Sequence, residues 1–167
     1  MKEDWEQVKA TIIKALDACV EFRESEGKAL EADLRDSISN IRKYLKEVES
    51  HDPSRLENVR KRINQQIREF IDNEKFDSNR FEQELIYYTE KLDINEEKVR
   101  LTKHLEYFEE TLDKGEANGK KLGFISQEIG REINTIGSKA NDANIQQLVV
   151  RMKDDLEKIK EQSLNVL

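Results

Sequence analysis

The chain has 167 residues, of which 36% are hydrophobic and 39% charged, with one Pro, six Gly and one Cys. That is enough for one domain with a core but not for a thick one, and a lone Cys19 excludes an intrachain disulfide and a cysteine-based zinc site. The net charge of −7 argues against broad nonspecific nucleic-acid binding, and no apolar run is long enough to span a bilayer. With no signal-peptide pattern at the acidic amino terminus, the expected location is cytoplasmic.

High charge with an apolar period near 3.6 predicts an all-α protein, its long helices packed as an elongated helical hairpin or bundle. One domain over 1–167 is expected. Its first helix is predicted at about 3–49, with the stripe Ile13, Leu16, Val20, Arg23, Gly27, Leu30, Leu34, Ile38, Ile41, Leu45 and Val48. At the usual rise, roughly 45 residues extend about 68 Å. Arg23 and Gly27 interrupt that stripe, which reads either as a kink or close helix crossing, or as an arginine facing a cavity lined with acid or phosphate.

A turn is predicted at Ser50 to Pro53, with Asp52 as cap and Pro53 opening the next helix. The helical hairpin region then covers 53–113. Its first helix runs to about Ile71 with Leu56, Val59, Ile63, Ile67 and Phe70 inward. A loop from Asp72 to Ser78 and a shorter helix from about Asn79 to Lys91 follow, with Phe81, Leu85 and Tyr88 inward. Asp93 and Glu96 have the spacing of a capping pair for a helix to about Asp113, striped by Leu101, Leu105, Phe108 and Leu112. Charge sign is sorted along this region: Arg55, Arg60, Lys61, Arg62 and Arg68 are consistent with a local basic groove, whereas Asp72 to Glu97 is rich in acids. Lys114 to Gly119 reads as a loop. Motif-bearing helices occupy 120–165, with a break near Gly137 or Asn141 to Asn144 and Asp142 as the cap of the last helix. No segment shows β alternation and there is no internal repeat.

The stretch GFISQEIGREINTIGSKAND, Gly123 to Asp142, departs from this generic pattern. Beside its apolar stripe, Glu128, Arg131, Glu132, Thr135 and Lys139 share one helix face at steps of three and four. Glu128 and Glu132 at i and i+4 suit one divalent cation with hard oxygen ligands, or a salt-bridge lattice with Arg131 and Lys139. His104 lies one residue off its apolar stripe and reads either as a border histidine bonded to a neighbouring helix or as an acid–base group. His51 reads as surface, and Glu96 and Glu97 suit the amino-terminal end of a helix dipole.

Taken together, LDINEEKVRLTKHLEYF (Leu92 to Phe108), the run from Gly119 to Asn165 and EFRESEGKALEADL (Glu21 to Leu34) resemble the carboxy-terminal domain of the bacterial YicC-like endoribonucleases. The resemblance is weak only between about Val48 and Asn79. The matching positions are Arg23, Glu26 and Gly27; Asp93, Glu96, Glu97, Arg100 and His104; and Gln127, Glu128, Arg131, Glu132, Asn134, Thr135, Ser138, Lys139 and Asp142. Three positions depart: Lys120 stands where Arg is usual, Gly123 where Asp is usual and Gly130 where Asn is usual. Family members are about twice as long, with an additional amino-terminal domain.

The resemblance implies a metal-dependent endoribonuclease, with Mn²⁺ favoured over Mg²⁺, that acts on RNA as a ring-like homo-oligomer. The resemblance nominates residues without giving roles; among them Glu97, His104, Glu128 and Glu132 are the metal ligands expected from their chemistry. His104, Glu128, Glu132 and Arg131 would be catalytic, and Arg23, Arg100, Asn134, Ser138 and Lys139 would bind RNA. His104 would serve as general acid or base while Arg131, Lys139 and Arg23 relieve charge on the phosphate. The competing expectations are a noncatalytic RNA-binding, adaptor or oligomerisation module that needs the amino-terminal domain, and a coiled-coil scaffold.

Overall fold

The computed structural model describes residues 2–71, 83, 86–88, 90–114 and 118–166, and no strand occurs among them. The long helices among the described residues are α1 (Lys2–Ile71), α2 (Asn95–Leu112), α3 (Gly119–Ala140) and α4 (Ala143–Ser163). α1 packs on α2 and α4, and α3 closes the ring by packing on the same two. The apolar stripes named from the sequence meet in the middle. Leu34, Ile38, Ile41, Leu45 and Val48 of α1 join Leu101, Leu105 and Phe108 of α2 in the core. Ile125, Ile129, Ile133 and Ile136 of α3 and Ile145, Leu148, Met152, Leu156 and Ile159 of α4 complete it. The all-α, long-helix architecture is therefore as expected.

Ion pairs fix the antiparallel run of α1 against α2. Arg35 meets Asp113 at 2.6 Å, Arg42 meets Glu109 at 2.6 Å, and Asp52 meets Lys98 at 2.7 Å. Arg35 is raised above its usual pKa by hydrogen bonds, first to Asp113 and then to Glu31.

α1 differs from the expected pair of helices. It is one helix of 70 residues with Pro53 inside it, about 105 Å at the usual rise. Proline removes one backbone donor and crowds the preceding turn, yet the helix continues because its neighbours do not act as a turn. Ser50 and Ser54 donate their hydroxyls to the carbonyls of Glu47 and His51 within the helix. Asp52, expected as a cap, is instead buried and accepts from Arg55 and Lys98. Nor does Gly27 mark a close crossing, since a Cβ there would meet nothing within 4 Å.

Of the expected hairpin helices, Leu56, Val59 and Ile63 are half-buried, while Ile67, Phe70, Phe81 and Leu85 lie outside the residues whose side chains are described. Tyr88 is exposed rather than inward, as are Ile86 and Tyr87, because no core packs on this stretch among the described residues. Asp93 does not cap α2 in the expected way. Ile94 is the residue before the helix, Asp93 accepts from the Asn95 amide, and Glu96 pairs with Arg100.

The break between α3 and α4 falls at Asn141, in the left-handed region at φ 44°, which a short polar side chain tolerates. Asp142 then caps α4 as expected, accepting from the amides of Asn144 and Ile145 at 3.0 Å each. Gly137 does not break α3; a Cβ there would meet Val149 Cγ1 at 3.1 Å, so the glycine allows α3 and α4 to approach closely. Gly130 likewise leaves the helix unbroken, and it is buried against Leu156 of α4.

Candidate functional site

Three helices meet at a buried charge cluster that patterning alone does not reveal. Arg55 of α1 is 3% exposed, so the basic groove expected around it loses its first member. Its guanidinium donates to Asp52 Oδ1 at 2.8 and 2.6 Å, to the Leu92 carbonyl at 2.9 Å and to the Ala140 carbonyl at 3.1 Å. Ala140 ends α3, where carbonyls lack helical partners and a cation is favourable. The Gln146 side-chain amide donates to the nearby Gly137 carbonyl. Burial would raise the Asp52 pKa, but hydrogen bonds from Lys98 and Arg55 outweigh it and hold the carboxyl below its ordinary value.

Next to Lys98 in sequence, Glu97 is buried on α2 and accepts from Lys139 of α3 at 2.7 Å through Oε1. Its other oxygen, Oε2, is buried with no hydrogen-bond partner. An unpaired buried carboxylate oxygen is costly, so a site that supplies it with a proton, a water or a cation gains by doing so. Lys139 therefore pairs with Glu97 rather than with the glutamates on its own helix. Glu128 lies 4.0 Å from Arg131, the looser half of the expected lattice. Glu132 is buried and stands outside both ion pairs.

The register of α2 against α3 follows from two contacts. Glu97 meets Lys139 near one end, and the Lys121 ammonium stands 4.7 Å from the centroid of the Tyr107 ring near the other. In antiparallel helices, counting in opposite directions from such a contact gives the residues that face each other. Counted from Glu97, His104 falls opposite Glu132, and counted from Tyr107 it falls opposite Phe124, so the two contacts bracket a stretch of α3 about 12 Å long rather than one level. His104 itself is half-buried. As folded, no three His, Cys, Asp or Glu side chains among the described residues stand close enough together to hold a metal ion.

The other nominated residues are dispersed. Arg100 is exposed and paired with Glu96, Asn134 is exposed, and Ser138 donates to the Thr135 carbonyl. Arg131 is exposed, while Lys139 is half-buried in its pair with Glu97. Arg23 is elsewhere. It borders a cleft of about 570 Å³ whose walls include Glu26, Glu31, Asp33, Leu112, Leu122 and Val166. Leu122 and Lys139 are separated by nearly the whole of α3, about 25 Å at the helical rise. One chain thus does not bring Arg23 to Lys139, although the acid-lined surroundings are one of the two expected for it.

Asp52, Arg55 and Lys98 were legible as charged residues at helical spacing, but nothing in their spacing marked them for burial. Tyr107 and Lys121 carried no local signal at all, because their contact joins positions on two helices. Among the described residues, no helix is long and apolar enough to cross a membrane.

A family model described as endoribonuclease YicC-like, C-terminal, matches residues 48–167. The chain is similar to a probable endoribonuclease YicC of Clostridioides difficile, with 37% identity over 163 residues covering 97% of this chain and 56% of the relative. It is also similar to a probable endoribonuclease YicC of Haemophilus influenzae, with 31% identity over 169 residues covering 99% of this chain and 58% of the relative. The chain thus spans a little over half the length of these curated relatives.

Proposed function

The chain belongs to the YicC-like endoribonuclease family, matching its carboxy-terminal domain, and from that premise we propose that it carries the catalytic helices of a metal-dependent endoribonuclease. The observations that support this most are the packing of α2, which carries His104, on α3, which carries Glu128 and Glu132, and the buried, half-satisfied Glu97 on α2. Three carboxylates and an imidazole are donors that suit Mn²⁺ or Mg²⁺. Glu97, through its unpartnered oxygen, and His104, Glu128 and Glu132 would hold the cation, which requires the two helices to rearrange, since no three of these side chains stand close enough together as folded. When bound, the cation would supply an acidified water and relieve charge on the scissile phosphate.

The remaining work falls to the chain's own side chains. His104 takes or returns a proton at the attacking or leaving oxygen. Arg131 is exposed and free to swing toward a phosphate, where its forked donors suit two oxygens at once. Lys139 holds Glu97 in place and adds positive charge at the carboxy-terminal end of α3. Arg100, Asn134 and Ser138 contact the RNA backbone along the same face. Arg23 reaches that RNA only from another copy, which fits a homo-oligomer. The exposed apolar face of α1 gives such an assembly a surface, and an amino-terminal domain like that of the relatives and a cytoplasmic location belong to the same reading.

The test is RNA cleavage with and without Mn²⁺ by the wild type, His104→Ala and Glu132→Gln. Loss of about a hundredfold or more is expected for each, with helical circular dichroism unchanged. Wild-type cleavage that both variants retain would remove the assignment. Binding without cleavage by the wild type would favour a noncatalytic RNA-binding or adaptor module, a reading supported by the engagement of Glu97 with Lys139.

A further inference from the structure

α3 sorts its side chains by face with one exception. Its other large apolar residues, Leu122, Ile125, Ile129, Ile133 and Ile136, are all 2% exposed or less, whereas Phe124 is 63% exposed. Leaving a benzyl group in water forgoes burial that every other large apolar side chain of the helix obtains. Phe124 also sits in register with the polar face. Lys121, Phe124, Glu128, Arg131 and Thr135 succeed one another at steps of three and four, so the face begins at Lys121 rather than at Glu128. Lys121 in turn reaches the ring of Tyr107 on α2, itself 42% exposed. Two exposed rings on adjacent helices, with a lysine against one of them, stand at one end of the face that carries Glu128 and Arg131.

Charge alone is a poor means of drawing a polyanion to that face. The chain carries a net −7, and Glu97, Glu128 and Glu132 add local negative charge that repels phosphate. Base stacking is indifferent to this repulsion, because every unpaired base offers a π-face to an aromatic ring. We propose that Tyr107 and Phe124 form a stacking platform for unpaired bases of an RNA strand, whose backbone Lys121 and Arg131 guide toward the His104 end of the site. This rests on the RNA reading above and narrows it to single-stranded RNA, since inside a duplex both faces of a base are covered by its stacked neighbours.

The experiment measures binding of a fluorescein-labelled single-stranded RNA, and of the same RNA annealed to its complement, by anisotropy without added metal. The proteins are the full chain and its Phe124→Ala, Tyr107→Ala and Phe124→Trp variants, with light scattering for mass and thermal unfolding for stability. Each alanine variant is expected to bind the single strand about tenfold more weakly, with duplex binding, unfolding midpoint and mass unchanged, and Phe124→Trp is expected to bind as the wild type does. If the wild type binds the single strand and both alanine variants match it, the platform is wrong while the RNA reading stands. Alanine variants that keep RNA affinity but change mass would assign the rings to a protein interface instead. A wild type that neither binds nor cuts RNA overturns the RNA reading and the platform with it.

Discussion

The two halves of α1 carry one apolar face, interrupted at Arg23 and Gly27, and meet opposite environments. From Leu34 to Val48 the inward residues lie in the core against α2 and α4. From Trp5 to Val20 the same face displays Trp5, Val8, Ile12, Ile13, Leu16 and Val20 to solvent. The charged surroundings differ too. The covered half is tied down by Arg35, Arg42 and Asp52 to partners on α2, whereas the helix before Glu31 has no ion pair to another helix among the described residues. An amphipathic period specifies that a face seeks cover; it does not specify whether the same chain supplies it. The exposed half must therefore hold by helix propensity and local contacts, which alone leave a helix marginal.

The sharpest break in this comparison lies at the far end of the covered half. Replacing Arg55 or Asp52 by Ala leaves a buried charge uncompensated and is expected to cost about 3–5 kcal/mol in urea unfolding, whereas replacing Lys61 in the exposed pair with Glu57 should leave the midpoint unmoved. A hydrophobic version of the same contrast is next in size. Ile41→Ala, at a fully buried position, should lose about 2–5 kcal/mol, and Ile13→Ala should stay within about 0.5 kcal/mol. Equal losses at the two isoleucines would mean that the outer half is covered in solution.

Acid should act on the covered half first through Asp52. Its folded pKa lies below the ordinary value, so the folded state favours the ionised form. The resulting stability is complete above about pH 3.9 and is lost as pH falls from there through the depressed folded value. In Asp52→Asn, that part of the acid dependence should disappear from thermal melts between pH 6 and 2.5. The smallest effect is a gain. Gly27→Ala lies in the exposed half with open space around the new methyl, and it should raise helix stability by up to about 1 kcal/mol, seen as slower amide exchange around residue 27.

Much of the candidate site was legible before the fold. Glu128, Arg131, Glu132, Thr135 and Lys139 share a face because a helix repeats every 3.6 residues, and α3 is that helix. The cap at Asp142 was readable because an aspartate before a helix has few better uses. Asp52 shows where such reading ends. Beside Pro53 it has every local mark of a cap, yet Arg55 and Lys98 claim its oxygens, and one of those partners lies on another helix. Phe124 is the reverse case, an apolar residue that lies outside the buried stripe of α3 and stays in solvent.

The sequence by itself determined that the chain is helical, which face of each helix is apolar, where α4 begins and which family the chain resembles, since all of these depend on residues within a few turns or on the run of letters itself. The tertiary structure alone decided that α1 passes unbroken through Pro53, that α2 packs on α3, that Glu97 meets Lys139, and that half of α1's apolar face goes uncovered. Each of those outcomes is a contact, or a missing contact, between segments far apart in the chain, and it is set by the register at which four helices close around one core.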